Sequence, residues 1–426
     1  MTIHVPPASL AERVRSVRSP GGIEAWLFED HALPILSASI GFRGGAALDP
    51  PGKAGTALLM ARLLTEGAGL LDSEGFGRAL ADDAIRLSFG LERDGLRARL
   101  RTQSSTVDRA FALLRLAVNE PHFAPAPLAR VRAAASAGVR QSLADAGQTA
   151  HLAFFARGFA GHAYASPAAG DLASLEAIDG ADVVALHRRM LTRTGLLVAV
   201  VGAIGPEALA GLLDKAFADL PEGEAAATPP VALAGLGERE VVRLDVPNAA
   251  IVLGRPGIRL DDPDFTASQV VNHCFGGGTF TARLMREVRE KRGLCYAIGS
   301  GLDAAAAACT LRISTSVANA RVGETLAVVA DEVARLASDG IGPDELEAAK
   351  SAMIGAYGLN FDTSVSIAEL LLTLQFQGRG RDWLDARNRR IAAITTEDAA
   401  RAIGRLLGDG AMLTTIAGDP PAGADA

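Results

Sequence analysis

Arg292 and Tyr296 are the residues of this 426-residue chain whose types and spacing most suggest chemistry. Both side chains can donate hydrogen bonds to a peptide carbonyl oxygen, or to the oxyanion that forms when that carbonyl is attacked. Neither side chain can activate a water molecule, because that step needs a base or a metal ion. If the pair takes part in hydrolysis, the attacking groups must therefore come from elsewhere.

The pair lies at a predicted corner between a helix and a strand. A helical pattern runs from Thr281 to Arg292, and Gly293 follows where a left-handed residue ends a helix at little cost. Residues 294–300 have the pattern of a strand leaving this turn. The side chains of Arg292 and Tyr296 would then project into one cleft. The alternative interpretation is a capped surface helix with a solvated arginine and a half-buried tyrosine.

Three glycines, Gly276, Gly277 and Gly278, come shortly before this helix. Their backbone N–H groups could face an anion. A phosphate loop, however, follows a strand and contains a Lys-Ser/Thr pair, and neither feature is found here. We therefore interpret the glycines as a loop between two helices, and we count them with Arg292 and Tyr296 as candidate substrate-binding residues.

Other reactive residues do not form a site that the sequence can identify. No two of the seven histidines are three or four positions apart, so none forms a ligand pair on one helix face. No serine lies in a Gly-x-Ser-x-Gly pattern. Cys274, Cys295 and Cys309 lie in apolar segments, where thiols are usually inert. We predict no metal or cofactor bound by this chain itself.

Composition limits the class of protein. The net charge of −7 is spread without basic runs, which argues against nucleic-acid binding. No apolar run approaches the roughly 20 residues of a membrane span. The first ten residues lack the charged start and apolar block of a signal peptide, although a chain with its signal removed would look the same.

The order of predicted elements repeats on either side of a proline-containing segment, residues 221–239. The pair Ile178 and Ile394 and the pair Gly202 and Gly418 share one interval of 216 positions. A duplicated domain explains both features. We predict an α+β fold of two homologous halves, 1–220 and 240–426, with 221–239 as linker. Each half would be a mixed β-sheet covered by α-helices.

The segment GGGTFTARLMREVREKRGLCY resembles the C-terminal-half motif of the pitrilysin-like zinc peptidases, the family that includes mitochondrial processing peptidase. Its most specific part is Arg-Gly-Leu-x-Tyr, here Arg292–Tyr296. GFRGGAALDPPGKAGTALLMARLLTEG and GHAYASPAAGDLASLEAI resemble the first-helix region and the mid-domain loop of the same family. The resemblance covers residues 23–418 and implies two homologous halves that together form half of a clam-shaped peptidase.

The chain departs from this family at its zinc motif. Active members carry His-x-x-Glu-His on the first helix, and the five matching positions here read LLMAR. Leu58 and Arg62 replace the two histidines, and Ala61 replaces the general-base glutamate. The third ligand would fall near Gly138, in a segment, 131–141, that contains no Asp or Glu. The resemblance therefore implies a degenerate zinc site.

In the bacterial two-subunit branch of the family, one subunit keeps the zinc motif and the other keeps the Arg/Tyr pair. The resemblance implies that this chain is the second kind and is inactive alone. A homologous subunit would supply zinc, and peptides or unfolded chains would be cleaved in an enclosed chamber between the two. Arg292 and Tyr296 would bind the substrate backbone and stabilise the oxyanion.

Two other functions stay open from the sequence. One is a non-catalytic structural or assembly subunit of the same fold. The other is a stand-alone enzyme with a different metal or nucleotide site. The bacterial pairs of the family suggest a periplasmic location, with the cytoplasm as the alternative.

Overall fold

Two β-sheets organise the part of the chain that this computed structural model describes, residues 9–224 and 227–421. Unit 1 takes its described residues from Met1–Ala137, Ala168–Thr228 and Gly358–Arg387, and unit 2 from Gly138–Pro167, Pro229–Tyr357 and Asn388–Ala426. The outer ends of the predicted domains (1–8 and 422–426) and residues 225–226 of the predicted linker lie outside the described residues.

The strands are of two kinds. Central strands such as β3, β6, β8 and β11 are nearly continuous apolar runs, because both of their faces are covered; edge strands mix exposed and buried residues. In chain order the strands are β1 Val14–Arg18, β2 Glu24–Glu29, β3 Ile35–Arg43, β4 Arg86–Leu91, β5 Gly95–Gln103, β6 Leu196–Gly202, β7 Arg239–Arg243, β8 Asn248–Pro256, β9 Cys295–Ala304, β10 Cys309–Ala318 and β11 Leu413–Gly418.

Helices fill most of the sequence between the strands. They are α1 Leu10–Arg13, α2 Thr56–Leu63, α3 Ser73–Asp82, α4 Val107–Asn119, α5 Pro125–Leu143, α6 Ala146–Gly158, α7 Leu172–Ala177, α8 Gly180–Met190, α9 Pro206–Phe217, α10 Phe265–Asn272, α11 Val322–Asp339, α12 Pro343–Tyr357, α13 Ser364–Phe376, α14 Trp383–Ala392 and α15 Thr396–Leu407. Within the described ranges, no helix has both the length and the hydropathy needed to cross a membrane.

The two sheets share one topology. The sheet of unit 1 has the strand order β1-β2-β6-β3-β5-β4, and the sheet of unit 2 has the order β7-β11-β8-β10-β9. Without β1, the two orders correspond strand for strand. The pairs β2–β6 and β7–β11 are parallel, and the remaining neighbours are antiparallel in both sheets. The predicted pair of similar halves, each with a mixed sheet, is therefore confirmed.

The repeat extends to the helix caps. Asp179 and Asp182 form a capping box at the start of α8, and Thr395 and Asp398 form one at the start of α15. In each box the first side chain accepts from the third backbone N–H of the helix, and the third side chain accepts in return. The two boxes are separated by the 216 positions found in the sequence repeat. The repeated sequence pattern thus reports a repeated local hydrogen-bond arrangement.

Each unit also contains a helix from the other half of the sequence. Helix α13 packs its Leu371 and Leu372 into the core of unit 1, against Ala199 and Val201 of β6. Helix α6 packs on the sheet of unit 2, where the Thr415 hydroxyl donates to the α6 carbonyl of residue 150 at 2.8 Å. This exchange was not among the sequence predictions, because both helices continue the local pattern of their neighbours in the chain.

Candidate functional site

The candidate site lies where the chain turns from a helix into edge strand β9 of unit 2. The predicted helix over Thr281–Arg292 is wrong in detail. Thr279–Thr281 forms a 3₁₀ turn, and Met285–Glu290 is π-helical rather than α-helical. The wider turn is visible in the hydrogen bond from the N–H of Lys291 to the carbonyl of Arg286, five residues earlier. Single π-helical turns are found mostly at functional sites.

Gly293 ends this helix as predicted. Its φ of +60° lies in the left-handed region, and its N–H bonds to the carbonyl of Arg289 at 2.9 Å. A residue with a Cβ would meet no neighbouring atom here, so the preference for glycine comes from the backbone angle alone. The turn delivers the chain into β9 two residues later, which places Arg292 and Tyr296 on either side of it.

Arg292 is held by one residue of its own helix. Its Nη1 atom donates to the backbone carbonyl of Glu287 at 2.7 Å and to Oε2 of the same residue at 3.0 Å. The side chain stays 37% exposed. Among the described residues, the Nε and Nη2 atoms have no partner, so they remain available to a ligand. One edge of the guanidinium is thus fixed and another is open.

Tyr296 is exposed by an irregularity in the sheet. Strand β9 is the last strand of its sheet and pairs with β10 only. The register shifts at the start of β9, where Tyr296 and Ala297 together face Ser316. Such a bulge redirects side chains and is common next to active sites. Tyr296 is accordingly 87% exposed, rather than half-buried as the alternative interpretation of the sequence expected.

Glu287 is the residue that the sequence prediction missed. It lies in a segment rich in charged residues, yet its side chain is only 4% exposed. Hydrogen bonds from Lys291 and Arg292 lower the pKa of this carboxyl to about 2, and Arg335 adds to the effect from 3.7 Å. The available signal was a glutamate among basic residues at helical spacing, with Lys291 four positions later. Glu287 carries the charge that holds Arg292 in place.

The interpretation of the three glycines as a loop between two helices is wrong for two of them, because Gly276 and Gly277 belong to a π-helical turn, His273–Gly277, that directly continues α10. Gly276 is buried, and a Cβ there would come within 2.5 Å of the Ser300 hydroxyl. Ser300 also donates to the side chain of Asn272 at 2.7 Å, which ties the end of α10 to β9. Gly277 is exposed, whereas Gly278 is buried. Close packing explains Gly276; a substrate-binding role for the three glycines stays a prediction.

The positions of the degenerate zinc motif lie on α2 in unit 1. Ala61 is 2% exposed and Leu58 is half-buried, but Arg62 is exposed. Arg62 is therefore not part of the core that surrounds Ala61. The helix begins at a carboxylate: Asp49 accepts from the N–H groups of Gly55 and Ala57, both at 2.7 Å. Burial raises the pKa of Asp49 to about 6.

These side chains do not fit a zinc ion. Leu58 and Ala61 offer no donor atom, and the guanidinium of Arg62 carries a positive charge. Gly138, where the third ligand was expected, has no side chain and is exposed. Throughout the described residues, no group of three or more His, Cys, Asp or Glu side chains is arranged to hold a metal ion.

The cysteines have the inert character that their sequence surroundings indicated. Burial raises the pKa of the Cys274 thiol to about 12 and that of Cys309 to about 11. Burial also raises the pKa of Cys295, which lies beside Tyr296. A thiol with a raised pKa is protonated at neutral pH and is a poor nucleophile. The chemistry of the corner therefore depends on hydrogen-bond donors rather than on a nucleophile.

Comparison with known proteins gives consistent similarities. Residues 177–353 match the family model described as Peptidase M16 inactive domain. A Helicobacter pylori protein named non-peptidase homolog YmxG is 26% identical over 339 residues, which cover 79% of this chain and 78% of that protein. An uncharacterized zinc protease of Streptomyces coelicolor is 25% identical over 280 residues, 64% of this chain and 61% of that protein.

A solved structure matches nearly the whole chain. The crystal structure of a peptidase M16 inactive domain from Pseudomonas fluorescens superimposes with a TM-score of 0.89 at 27% sequence identity, over 96% of this chain and 98% of that chain. The predicted α+β fold is thereby confirmed.

Proposed function

We propose that this chain, which belongs to the peptidase M16 family, is the non-zinc, substrate-binding subunit of a heterodimeric zinc peptidase. One observation carries the proposal: the zinc-motif positions on α2 have lost every ligand, while Arg292 and Tyr296 remain accessible beside a free sheet edge. A chain selected only for its fold would have no need to hold an arginine on a buried carboxylate and expose a tyrosine next to it.

Arg292 and Tyr296 would act on the backbone of the substrate. The free N–H groups of Arg292 and the hydroxyl of Tyr296 are donors, and donors aimed at a carbonyl oxygen stabilise the charge that develops on it during attack. Glu287 would keep the guanidinium in position before substrate arrives, so that little ordering remains to be done on binding. Zinc, the attacking water and the general base would come from the partner subunit.

The partner would be a homologous subunit with an intact zinc motif. Peptides or unfolded chains would be cleaved in a chamber that the two subunits enclose, and folded proteins would be excluded by size. This chain alone would be inactive. A periplasmic location is part of the proposal, and cell fractionation tests it.

The test is complementation in solution. The zinc-motif homologue would be assayed on a quenched-fluorescence peptide alone, with this chain, and with an unrelated protein at the same concentration. We expect hydrolysis to rise by at least tenfold only when this chain is added, since one donor to an oxyanion is worth about 10² to 10³ in rate. Equal rates with and without this chain would contradict the proposal.

A non-catalytic assembly subunit is the second candidate. The observation that favours it is the name of the Helicobacter pylori relative, non-peptidase homolog. In that case the chain would form a stable complex whose hydrolysis does not respond to Arg292 or Tyr296. Purification of the native complex, followed by identification of its members, separates the two candidates: a zinc-motif homologue as partner supports the first, and a complex without peptidase subunits supports the second.

A further inference from the structure

Arg289 lies between the two most exposed aromatic rings of the corner. Its guanidinium carbon is 5.2 Å from the ring centre of Phe280 and 5.4 Å from that of Tyr296. The two rings are 64% and 87% exposed. A guanidinium within about 6 Å of an aromatic face is attracted to it. Both rings therefore attract the guanidinium and limit the positions that it samples.

The donors of Arg289 are unused. Among the described residues its side chain has no hydrogen-bond or ion-pair partner, whereas Arg283, on the same segment, binds Glu345 through two atoms at 2.8 and 2.6 Å. Arg292 and Lys291 share the buried carboxylate of Glu287. Arg289 is thus a cation with five N–H groups that no anionic side chain among the described residues neutralises.

The surrounding charge favours an anion at this place. Arg286 and Lys291 are 52% and 56% exposed, and Arg292 is 37% exposed. The carboxylates of the buried Glu287 and the exposed Glu290 balance only part of this positive charge. Cations gathered on one surface attract an oppositely charged ligand and raise its local concentration. The chain as a whole is acidic, with a net charge of −7, so this basic corner is a local feature.

We infer that Arg289, beside the rings of Phe280 and Tyr296, binds a carboxylate of the peptide that Arg292 and Tyr296 hold. The planar guanidinium matches the two oxygens of a carboxylate, and such paired hydrogen bonds are stronger than those between neutral groups. The carboxylate would belong either to an acidic side chain or to the C-terminus. The inference rests on the proposed function and adds a substrate class to it: peptides with a carboxylate close to the bound segment.

The experiment measures peptide binding to the full chain alone by fluorescence anisotropy. Four labelled peptides of one parent sequence are compared. Two carry an internal Glu and two carry Gln at the same position, and one of each kind has a free C-terminus while the other is amidated. We expect the peptide that presents the recognised carboxylate to bind about tenfold more tightly than its neutral match, since a charge-assisted hydrogen bond contributes on the order of 1.5 kcal/mol or more. The internal and terminal comparisons identify the source of the carboxylate.

Variants assign the discrimination to Arg289. Arg289→Gln is expected to reduce the ratio between charged and neutral peptides to about one, and Phe280→Ala to reduce it in part. Arg286→Gln removes the same charge from the same surface, and Arg78→Gln removes it from unit 1; both should keep most of the discrimination. Circular dichroism confirms that each variant is folded.

Two results would overturn the inference. One is equal binding, or no binding, of all four peptides to the wild-type chain. The other is an equal loss of discrimination in Arg286→Gln and Arg289→Gln, which would indicate general attraction rather than a defined site. Both readouts use the chain alone, so they are separate from the partner-dependent hydrolysis that tests the proposed function.

Discussion

Each of the two similar halves contains a corner between a helix and an edge strand, but only the corner of unit 2 carries the Arg292 and Tyr296 pair. In unit 1, α3 ends at Asp82, Ala84 follows in the left-handed region with φ +50°, and β4 begins two residues after Ala84. In unit 2, the equivalent residue is Gly293, with φ +60°, and β9 begins two residues later. The backbone route is shared. Asp83 and Leu87 stand where Arg292 and Tyr296 stand in the other half.

The difference between the two edge strands shows how exposure is produced. Strand β4 pairs with β5 without a register shift, and its Leu87 is half-buried. Strand β9 carries a bulge at Tyr296, which is almost fully exposed. A single change in strand register therefore separates a residue that supports the sheet from one that is offered to a ligand. The fold sets the position of the residue in the strand, and the local bulge sets how far its side chain is exposed.

The largest expected effect concerns the carboxylates of the two corners. Glu287→Gln should lower the free energy of unfolding by about 3 kcal/mol, because it leaves several cations around a buried position without their anion. For comparison, Asp83→Asn changes a carboxyl of the first corner and should cost less than about 0.5 kcal/mol, since the side chain of Asp83 is 36% exposed and its ion-pair partner among the described residues, Arg109, is 3.7 Å away. Urea unfolding of both variants measures the difference. Equal losses would show that Glu287 is not special to the second corner.

The next effect is a dependence of stability on pH that differs between the units. The folded pKa of Asp49 is about 6, above its usual value of 3.8. Its contribution to stability is therefore fully present below pH 3.8 and is lost as the pH rises through 6. The folded pKa of Glu287, about 2, lies below its usual 4.5, so its contribution is present above pH 4.5 and is lost on acidification.

Of these two carboxyls, only that of Asp49 should change its protonation state in the folded chain between pH 4.5 and 6.5. We expect the Asp49 carboxyl to remove about 2 kcal/mol of stability from unit 1 across this range, and Glu287 to add little to the pH dependence of unit 2. Hydrogen exchange of amides in α2 and β9, measured at several pH values, follows the two units separately. Asp49→Asn should reduce the slope in unit 1 by this amount, and an unchanged slope in this variant would contradict the assignment.

The smallest effect uses the left-handed residues. Ala84→Gly should stabilise the chain by about 0.5 to 1 kcal/mol, because the left-handed backbone is costly for alanine and free of strain for glycine. Gly293→Ala should destabilise it by a similar amount. Urea unfolding of the pair of variants tests both signs. If Ala84→Gly were neutral or destabilising, the two corners would not share the backbone conformation described here.

The sequence predicted those features of the site that follow from local pattern. The end of the helix at Gly293, the strand after it and the duplication were readable from glycine placement and repeated intervals. The lost zinc motif was readable from residue types at α2. These features depend on short stretches of chain, or on a pattern that recurs at a constant interval.

What the sequence did not predict depends on contacts between distant residues or on small changes in register. The burial of Glu287 requires Arg335 from α11, and the exposure of Tyr296 requires a bulge against β10. The two rings close to Arg289 come from separate elements, Phe280 from a 3₁₀ turn and Tyr296 from strand β9. No short stretch of sequence indicates that α6 belongs to unit 2 and α13 to unit 1.

The central claim is that this chain grips the substrate backbone through Arg292 and Tyr296 while its partner attacks it. The most direct measurement is the rate of peptide hydrolysis by the zinc-motif homologue in complex with either the wild-type chain or the Arg292→Ala, Tyr296→Phe double variant, after equal complex formation has been shown by gel filtration. The account predicts that the double variant lowers the rate by about 10² or more at saturating peptide. An unchanged rate in a fully assembled complex would contradict it.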